Sequence, residues 1–453
     1  MFPKIKKIVK KPKILLLTDD ILHSTGVGTM AREIVFGTCD TFDWVQLAAA
    51  VNHPDAGKVL DISEYVSKET NKTDISVIQY KQDGYFNVDR FYQVLELERP
   101  SCIFLFTDPH RYVEFFKHEH TIRSIYKIPI IYYSVWDNFP VPYWNSPYYN
   151  SCDLLLAINY QTQHFHRLIA PDVPSYYVPH GINPSVFYDV SNDVDFIKFK
   201  EQFEHDHGKK FIVFWNNRNI KRKQPGDIII AFKKFSDAVG KDNVCLFMKT
   251  HILDPNGTDL LSVKESIAND CDILFNQEHI SQKILNYFYN LADVTISLSS
   301  AEGFGLSTAE SLMAGTPIIA PVTGGLRDQM GMVNDFDNIS NRQLSEHGDW
   351  CIPLKPAAKL LQGSMATPYI FDDVTDHTQM TDALISLYNR WKSGENLKSN
   401  GGREFMLTNG LNSDKMCSTI TQHIKDLLTT WKPKPSYSIG KIVKKTTKEQ
   451  YGI

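Results

Sequence analysis

Long apolar runs are absent from the sequence. No stretch of its 453 residues approaches the roughly 18 consecutive apolar residues that cross a bilayer. The apolar segment at residues 13–17 is also too short for the hydrophobic part of a signal peptide. Cysteine is scarce, and the seven residues, an odd number without close pairs, argue against a disulfide framework and fit a reducing compartment. We therefore expect a cytoplasmic protein whose cysteines lie in its cores.

A strong net charge is missing too. The formal net charge of −4 creates no global field that would recruit nucleic acid or an anionic membrane. Lysines nevertheless concentrate at the two ends, at positions Lys4, Lys6, Lys7, Lys10, Lys11, Lys13, Lys432, Lys434, Lys441, Lys444, Lys445 and Lys448. A content of 42% hydrophobic residues over this length is enough for two cores. We expect a first domain over 1–190, a polar linker over 191–208 and a second domain over 209–414.

The sequence does contain a repeated alternation of apolar strands and helical patterns. Strands are predicted at 13–17, 44–51, 101–106, 128–133 and 154–158, and again at 211–215, 243–249, 271–276 and 293–299. Such alternation indicates an α/β fold with doubly wound parallel sheets. In these sheets ligands bind beyond the carboxyl ends of the strands. Residues 331–376 are predicted to be irregular, and helices are predicted at 384–391 and 416–431.

The segment 299–325 has the most informative pattern. It predicts a strand, a glycine loop, a short helix and a second strand. Such a loop presents backbone N–H groups and the positive end of a helix to phosphates and sugars. Glu302 and Glu310 bracket the loop, whose central residues are Gly303, Phe304, Gly305 and Leu306.

This segment, followed by Ala314-Gly315-Thr316-Pro317 and Gly324-Gly325, resembles the E-x7-E signature of the retaining nucleotide-sugar glycosyltransferases of family 4. The resemblance implies a GT-B fold, in which two Rossmann-like domains face each other. It also implies that a C-terminal helix, here at 415–432 and followed by a basic tail at 433–453, crosses back to the first domain. The implied donor substrate is a nucleoside-diphosphate sugar, and a UDP-sugar is the expected one. The implied reaction is retaining transfer of a hexosyl or pentosyl group to a hydroxyl, with no obligatory cofactor.

The resemblance assigns roles to four residues of the second domain. Arg218 and Lys223 resemble the pair that binds the donor diphosphate, and a guanidinium fork beside an ammonium also suits two adjacent phosphates on physical grounds. Glu302 resembles the residue that binds the sugar hydroxyls. Glu310 resembles the residue that holds the ribose, but Ser307 and Glu310 also fit a capping box, in which the carboxylate reaches back to the start of its helix.

The first domain offers weaker candidates. Gly26 and Gly28 satisfy a dinucleotide-binding fingerprint, but strand 44–51 does not end in the required acidic residue, so we favour a loop that approaches a phosphate or the acceptor. His110 and Asp137 follow predicted strands and are candidates for the acceptor side. A turn begun by Asp108 and a helix capped by Asp137 are equally open alternatives. The aromatic segment 138–149 is expected to lack regular structure, and it lines the acceptor or serves packing.

A metal-dependent transferase would carry D-x-D at the end of a strand. The three candidates, at 193–195, 270–272 and 335–337, follow no predicted strand of this kind. We therefore predict no obligatory metal.

The acceptor is less defined than the donor. The first domain, with FTDPHRY and WDNFPVPYWN, resembles glycosyltransferase-like proteins of large tailed bacteriophages. That resemblance implies a hydroxymethylated pyrimidine in DNA as one acceptor, reached in the host cytoplasm, with the basic ends contacting phosphates. A glycan acceptor, with the lysines facing an anionic membrane surface, is the other. A non-catalytic module that binds nucleotide or sugar is the alternative function.

Overall fold

The computed structural model of the protein describes residues 10–332 and 346–433. Most of the clustered lysines, and the aspartates at 335 and 337, lie outside these residues. Among the described residues, no helix combines the length and the apolar composition that crossing a membrane requires. All seven cysteines are free and buried, as the sequence predicts.

The first domain contains an eight-stranded sheet. Its strands are β1 (Lys13–Asp19), β2 (Asp43–Ala50), β3 (Val59–Asp61), β4 (Val77–Asp83), β5 (Cys102–Phe106), β6 (Ile130–Ser134), β7 (Leu154–Ala157) and β8 (Ser175–Tyr177). Its helices are α1 (Gly26–Thr38), α2 (Ser63–Thr70), α3 (Val88–Glu98), α4 (Val113–Lys117), α5 (Glu119–Thr121), α6 (Ser146–Tyr149) and α7 (Tyr160–Ile169).

The second domain contains a six-stranded sheet and a hairpin. Its strands are β9 (Phe211–Asn216), β10 (Val244–Lys249), β11 (Ile273–Asn276), β12 (Val294–Ile296), β13 (Ile318–Pro321), β14 (Cys351–Leu354), β15 (Ala358–Gln362) and β16 (Ile370–Val374). Its helices are α8 (Val194–His207), α9 (Pro225–Val239), α10 (Leu260–Ile267), α11 (Gln282–Leu291), α12 (Leu306–Met313), α13 (Leu326–Gln329), α14 (His377–Lys392), α15 (Gly401–Thr408) and α16 (Ser413–Thr430).

Both large sheets have the predicted parallel, doubly wound architecture. The strand orders are β3-β4-β2-β1-β5-β6-β7-β8 and β11-β10-β9-β12-β13-β14, and only the β3–β4 pair is antiparallel. Helices cover both faces, so the central strands are mostly apolar, and β5 and β6 are completely buried. The carboxyl ends of β1, β5 and β6 therefore open together at one edge of the first sheet.

The prediction of an irregular segment at 331–376 is wrong for part of its length. Strand β14 extends the second sheet by pairing with β13, and β15 and β16 form an antiparallel hairpin. The hairpin also reaches the first domain, because the Phe371 N–H donates to the Phe139 carbonyl at 2.6 Å. All five residues of β15 are exposed, so this strand lacks the buried face that produces a readable apolar pattern.

The C-terminal helix crosses back to the first domain, as the resemblance implies. Helix α16 packs on α1, where a side chain at Gly37 would overlap Cys417. His423 of α16 stacks on Tyr176 of β8, with ring centroids 4.1 Å apart. The predicted linker, in turn, contains helix α8, which Asp193 caps and whose Phe196 packs on Tyr287 of α11.

A charged cluster is buried at the end of β1. The Asp20 carboxylate accepts hydrogen bonds from Lys81 at 2.5 Å, from His53 Nε2 at 2.9 Å and from Gln79 at 2.8 Å. His53 Nδ1 accepts the Asp55 N–H at 3.0 Å, which places the ring proton on Nε2. Burial alone would raise the pKa of Asp20, but Lys81 and the other donors lower it to about 2.

This cluster does not fit a metal ion. Asp20, His23 and His53 offer ligand atoms within 4.8 Å of one another. The Lys81 ammonium, however, already neutralises the Asp20 oxygen that a cation would need. The cluster is therefore a structural ion pair that fixes the loop between β1 and α1.

Candidate functional site

Three segments of the second domain converge at one point. The loop after β9 forms a 3₁₀ turn at Lys221–Lys223, the chain after β12 leads to Glu302, and α12 begins at Leu306. A backbone hydrogen bond joins the first two segments: the Ser300 N–H donates to the Arg222 carbonyl at 2.7 Å. The site is thus assembled from adjacent parallel strands at their carboxyl ends, as the sequence predicts.

Glu302 is the centre of this site. Its carboxylate forms an ion pair with the Lys223 ammonium and lies 3.4 Å from Nη1 of Arg222. Arg222 also donates to the Ala301 carbonyl at 2.7 Å. Lys223 and Glu302 are only 8% and 6% exposed, so the pair lies in a largely dehydrated environment.

The charge state of Glu302 follows from these neighbours. Burial disfavours the carboxylate, but the charges of Lys223 and Arg222 outweigh burial and lower the pKa of Glu302 to about 2. Glu302 is therefore ionised at neutral pH. A fixed carboxylate flanked by two cations can bind hydroxyls and can also stabilise a positive charge that develops beside it.

Asp137 of the first domain faces this cluster. Burial raises its pKa to about 6, and the carboxylates of Asp108 and Glu302 act in the same direction, whereas Arg222 opposes them. The next helical turn along the chain begins only at Tyr143, so Asp137 caps no helix. The structure thus removes the capping alternative and places Asp137 against the glycine loop of the second domain, near Gly303.

The glycine loop is tightly enclosed between the domains. The Asn159 side-chain amide donates to the Gly303 carbonyl at 2.6 Å, and a side chain at Gly303 would lie 2.7 Å from Ile158 Cδ1. A side chain at Gly324 would overlap the Glu302 carbonyl. Gly305 has a φ of 90°, which favours glycine, and it is the N-cap residue of α12.

Glu310 does not form the predicted alternative capping box. The N-cap residue of α12 is Gly305, so Ser307 lies inside the helix. The Glu310 carboxylate instead accepts the Tyr289 hydroxyl at 2.7 Å. Burial raises the pKa of Glu310 to about 7.

A large cavity lies between the domains beside Glu310. Its volume is about 1080 Å³, which is ample for a nucleotide. Glu310, the loop 279–281 and Leu285 line it from the second domain, and Thr29 and Arg32 of α1 line it from the first.

The other candidates lie at the edges of the site. Arg218 is 62% exposed at its side chain and pairs with Asp254 at 2.7 Å, away from Glu302. His110 is half-buried, and its Nδ1 has no hydrogen-bond partner among the described residues. Gly26 is the first residue of α1, and a side chain there would lie 3.6 Å from Leu306. At Gly28 a side chain would lie 2.8 Å from the Asp20 carbonyl.

The aromatic segment at 138–149 serves packing in most of its length. It contains a 3₁₀ turn at Tyr143–Asn145 and helix α6, so the expectation of no regular structure is wrong. Trp144 packs against Trp136 and Tyr369, and Tyr149 is fully buried. Tyr143 is the exposed aromatic side chain of this segment, so it is the one available for stacking against a ligand.

One residue of the cluster, Arg222, could not be predicted from the sequence. Arg222 was one of several basic residues in the loop after β9, and nothing in the sequence distinguished it from Arg218. Its contact with Glu302 depends on the 3₁₀ turn, which points Arg222 and Lys223 to the same carboxylate.

Comparison with known proteins agrees with this arrangement. Residues 195–336 match the family model for glycosyl transferases group 1. A D-inositol 3-phosphate glycosyltransferase of Thermomonospora curvata is 40% identical over 73 residues, which are 16% of each chain. A trehalose synthase of Rubrobacter xylanophilus is 32% identical over 111 residues, covering 24% of this chain and 27% of that protein. The chain thus aligns with less than a third of the length of these curated relatives.

Solved structures resemble most of the chain. A sucrose-phosphate synthase of Thermosynechococcus elongatus has a TM-score of 0.67 at 14% identity, covering 93% of this chain and 100% of that chain. The Anabaena protein HepE, solved in complex with UDP and glucose, has a TM-score of 0.65 at 12% identity, covering 92% and 100%. The chain therefore has the two-domain GT-B fold, and its residues 195–336 have the sequence pattern of the glycosyl transferases group 1 family.

Proposed function

We propose that the protein is a retaining glycosyltransferase that moves a sugar from a UDP-sugar to a hydroxyl acceptor. The buried Glu302–Lys223 pair, with Arg222 beside it, carries this proposal. This pair lies just before helix α12, close to the interface between the two Rossmann-like domains of the GT-B fold. The donor assignment is supported by HepE, whose structure contains UDP and glucose.

Lys223 and Arg222 would stabilise the leaving diphosphate. Negative charge grows on its oxygens as the bond to the sugar breaks, and cations preorganised in a dehydrated site stabilise that charge strongly. The first backbone N–H groups of α12, at Leu306 and Ser307, would add to this field. Arg218 would join them by exchanging Asp254 for phosphate, since an exposed ion pair of this kind is weak.

Glu302 and Glu310 would hold the two ends of the donor. The ionised Glu302 would accept hydrogen bonds from sugar hydroxyls and favour the oxocarbenium-like transition state. Glu310 would accept the two ribose hydroxyls beside the large cavity, which would hold the nucleoside. No enzymic nucleophile is required if the departing phosphate takes the proton of the acceptor hydroxyl.

The charges of the first domain favour a glycan over DNA as acceptor. Asp19, Asp108 and Asp137 end or follow the neighbouring strands β1, β5 and β6, and they influence one another electrostatically. Carboxylates bind sugar hydroxyls well but repel phosphodiesters. His110 lies near the Asp108 carboxylate and would offer a second acceptor-side contact.

The test is an assay of donor turnover. Binding of UDP would be measured by calorimetry, and release of UDP from UDP-glucose would be followed with and without glycan acceptors and hydroxymethylcytosine DNA. We expect UDP release that increases with a glycan. Tight UDP binding without any release would instead indicate the non-catalytic binding module.

The titration of Asp137 should give the pH–rate profile of sugar transfer an acidic limb, in which the rate falls as the pH is lowered. The ionised form of Asp137 accepts the stronger, charge-assisted hydrogen bond from the acceptor hydroxyl, so activity should rise with pH around a midpoint of about 6. Asp137→Asn should lower the rate at pH 7 roughly tenfold to a hundredfold and remove that limb. Profiles of kcat/KM between pH 5 and pH 8, with the exposed Asp89→Asn as control, would check this. An unchanged limb in Asp137→Asn would assign it to another group.

A further inference from the structure

A second cavity lies beside the reaction site. Its volume is about 330 Å³, and it lies between the 3₁₀ turn after β9, the end of β12 and the β15–β16 hairpin. Arg222 lines it and also approaches Glu302. Asp372 lines it and accepts a hydrogen bond from the Asn138 amide of the first domain at 3.2 Å. The cavity therefore adjoins the place where the acceptor side of the first domain meets the donor site.

Two buried hydroxyls line this cavity. Ser300 and Thr375 are 3% and 4% exposed, and within residues 10–332 and 346–433 their Oγ atoms have no hydrogen-bond partner. Leaving a buried hydroxyl without a partner costs free energy, so such groups usually have one. Both residues border the cavity, so a rotation about χ1 would bring each hydroxyl to a ligand that carries hydroxyls of its own.

The charges around the cavity indicate the chemical class of that ligand. Lys221 and Arg222 would repel a metal ion, whereas Asp227, Asp372 and Asp376 would repel an anion. The described lining contains no Phe, Tyr or Trp on which a nucleobase would stack, and its apolar part is Leu360 and Val374. A neutral polyhydroxylated ligand can donate to the carboxylates, accept from the cations and cover the apolar side chains.

We propose that this cavity binds a neutral sugar residue of the acceptor, next to the residue that receives the transferred sugar. The proposal rests on the proposed function and makes the acceptor an oligosaccharide rather than DNA. The cavity volume is at the low end of small-molecule sites, which span roughly 300–1,000 Å³, and suits a single ring.

The experiment compares monosaccharides with disaccharides. Binding of glucose, galactose, maltose, cellobiose and lactose to the full chain with saturating UDP would be measured by saturation-transfer NMR. Thr375→Val removes one hydroxyl with little change of shape, and Asp227→Asn removes one charge. Thr429→Val and Asp242→Asn are matched controls on exposed positions.

We expect at least one disaccharide to bind more tightly than its monosaccharide. That preference should fall about threefold to tenfold in Thr375→Val and Asp227→Asn and stay unchanged in the controls. No preference for any disaccharide, or a preference unaffected by the two variants, would overturn the proposal, as would displacement of the sugar by inorganic phosphate. UDP binding and UDP-glucose hydrolysis report the proposed function separately, because neither substituted residue contacts Glu302.

Discussion

Replacing Lys223 with Met should reduce sugar transfer about a hundredfold to a thousandfold, as expected when a donor that stabilises transition-state charge is lost. The ammonium is the cation in direct contact with Glu302, and it lies in a dehydrated site where its field is weakly screened. Initial rates of UDP release and of transfer from UDP-glucose would measure the loss. Lys209→Met, an exposed lysine of the same domain, should retain full activity.

A double variant separates catalysis from folding. Lys223→Met alone leaves the Glu302 carboxylate buried without its partner, which lowers stability. Combining it with Glu302→Gln removes both charges, so stability should return while activity stays low. Full activity of the double variant would show that the reaction occurs elsewhere.

Replacing Lys81 with Met should lower the free energy of unfolding of the first domain by about 3–5 kcal/mol. The reason is that Asp20 would remain buried without the ammonium that neutralises it. Urea denaturation followed through fluorescence of the buried Trp44 would measure the change. Lys68→Met breaks only an exposed pair with Glu64 and should change stability by no more than about 1 kcal/mol.

The same pair predicts a pH dependence. The folded-state pKa of Asp20, about 2, is below the ordinary aspartate value of 3.8. Its contribution to stability is therefore fully present above pH 3.8 and is lost as the pH falls through about 2. In Lys81→Met this acid-dependent loss should be smaller, and an equal loss in both proteins would contradict the role of the pair.

The sequence predicted the central strands of both domains well. Residues 102–106 and 211–215 are continuous apolar runs because both faces of a parallel sheet are covered by helices. Peripheral helices and strands were harder to predict from the sequence. The exposed strand β15 has no apolar period, because no buried face selects its residues. The helical turns at 143–149 are only 3 and 4 residues long, which is too short to show a helical period.

Within the site, the sequence by itself determined Glu302, the glycine loop and the basic loop, because strand ends and glycines are local features of the chain. Only the tertiary structure decided which arginine joins Lys223 at Glu302, and it placed Arg222 there and Arg218 on Asp254. It also decided that Glu310 bonds Tyr289 rather than capping its helix, and that Asp137 faces the cleft. These outcomes depend on side chains that are distant in sequence and meet only in the folded chain, so local sequence patterns do not predict them.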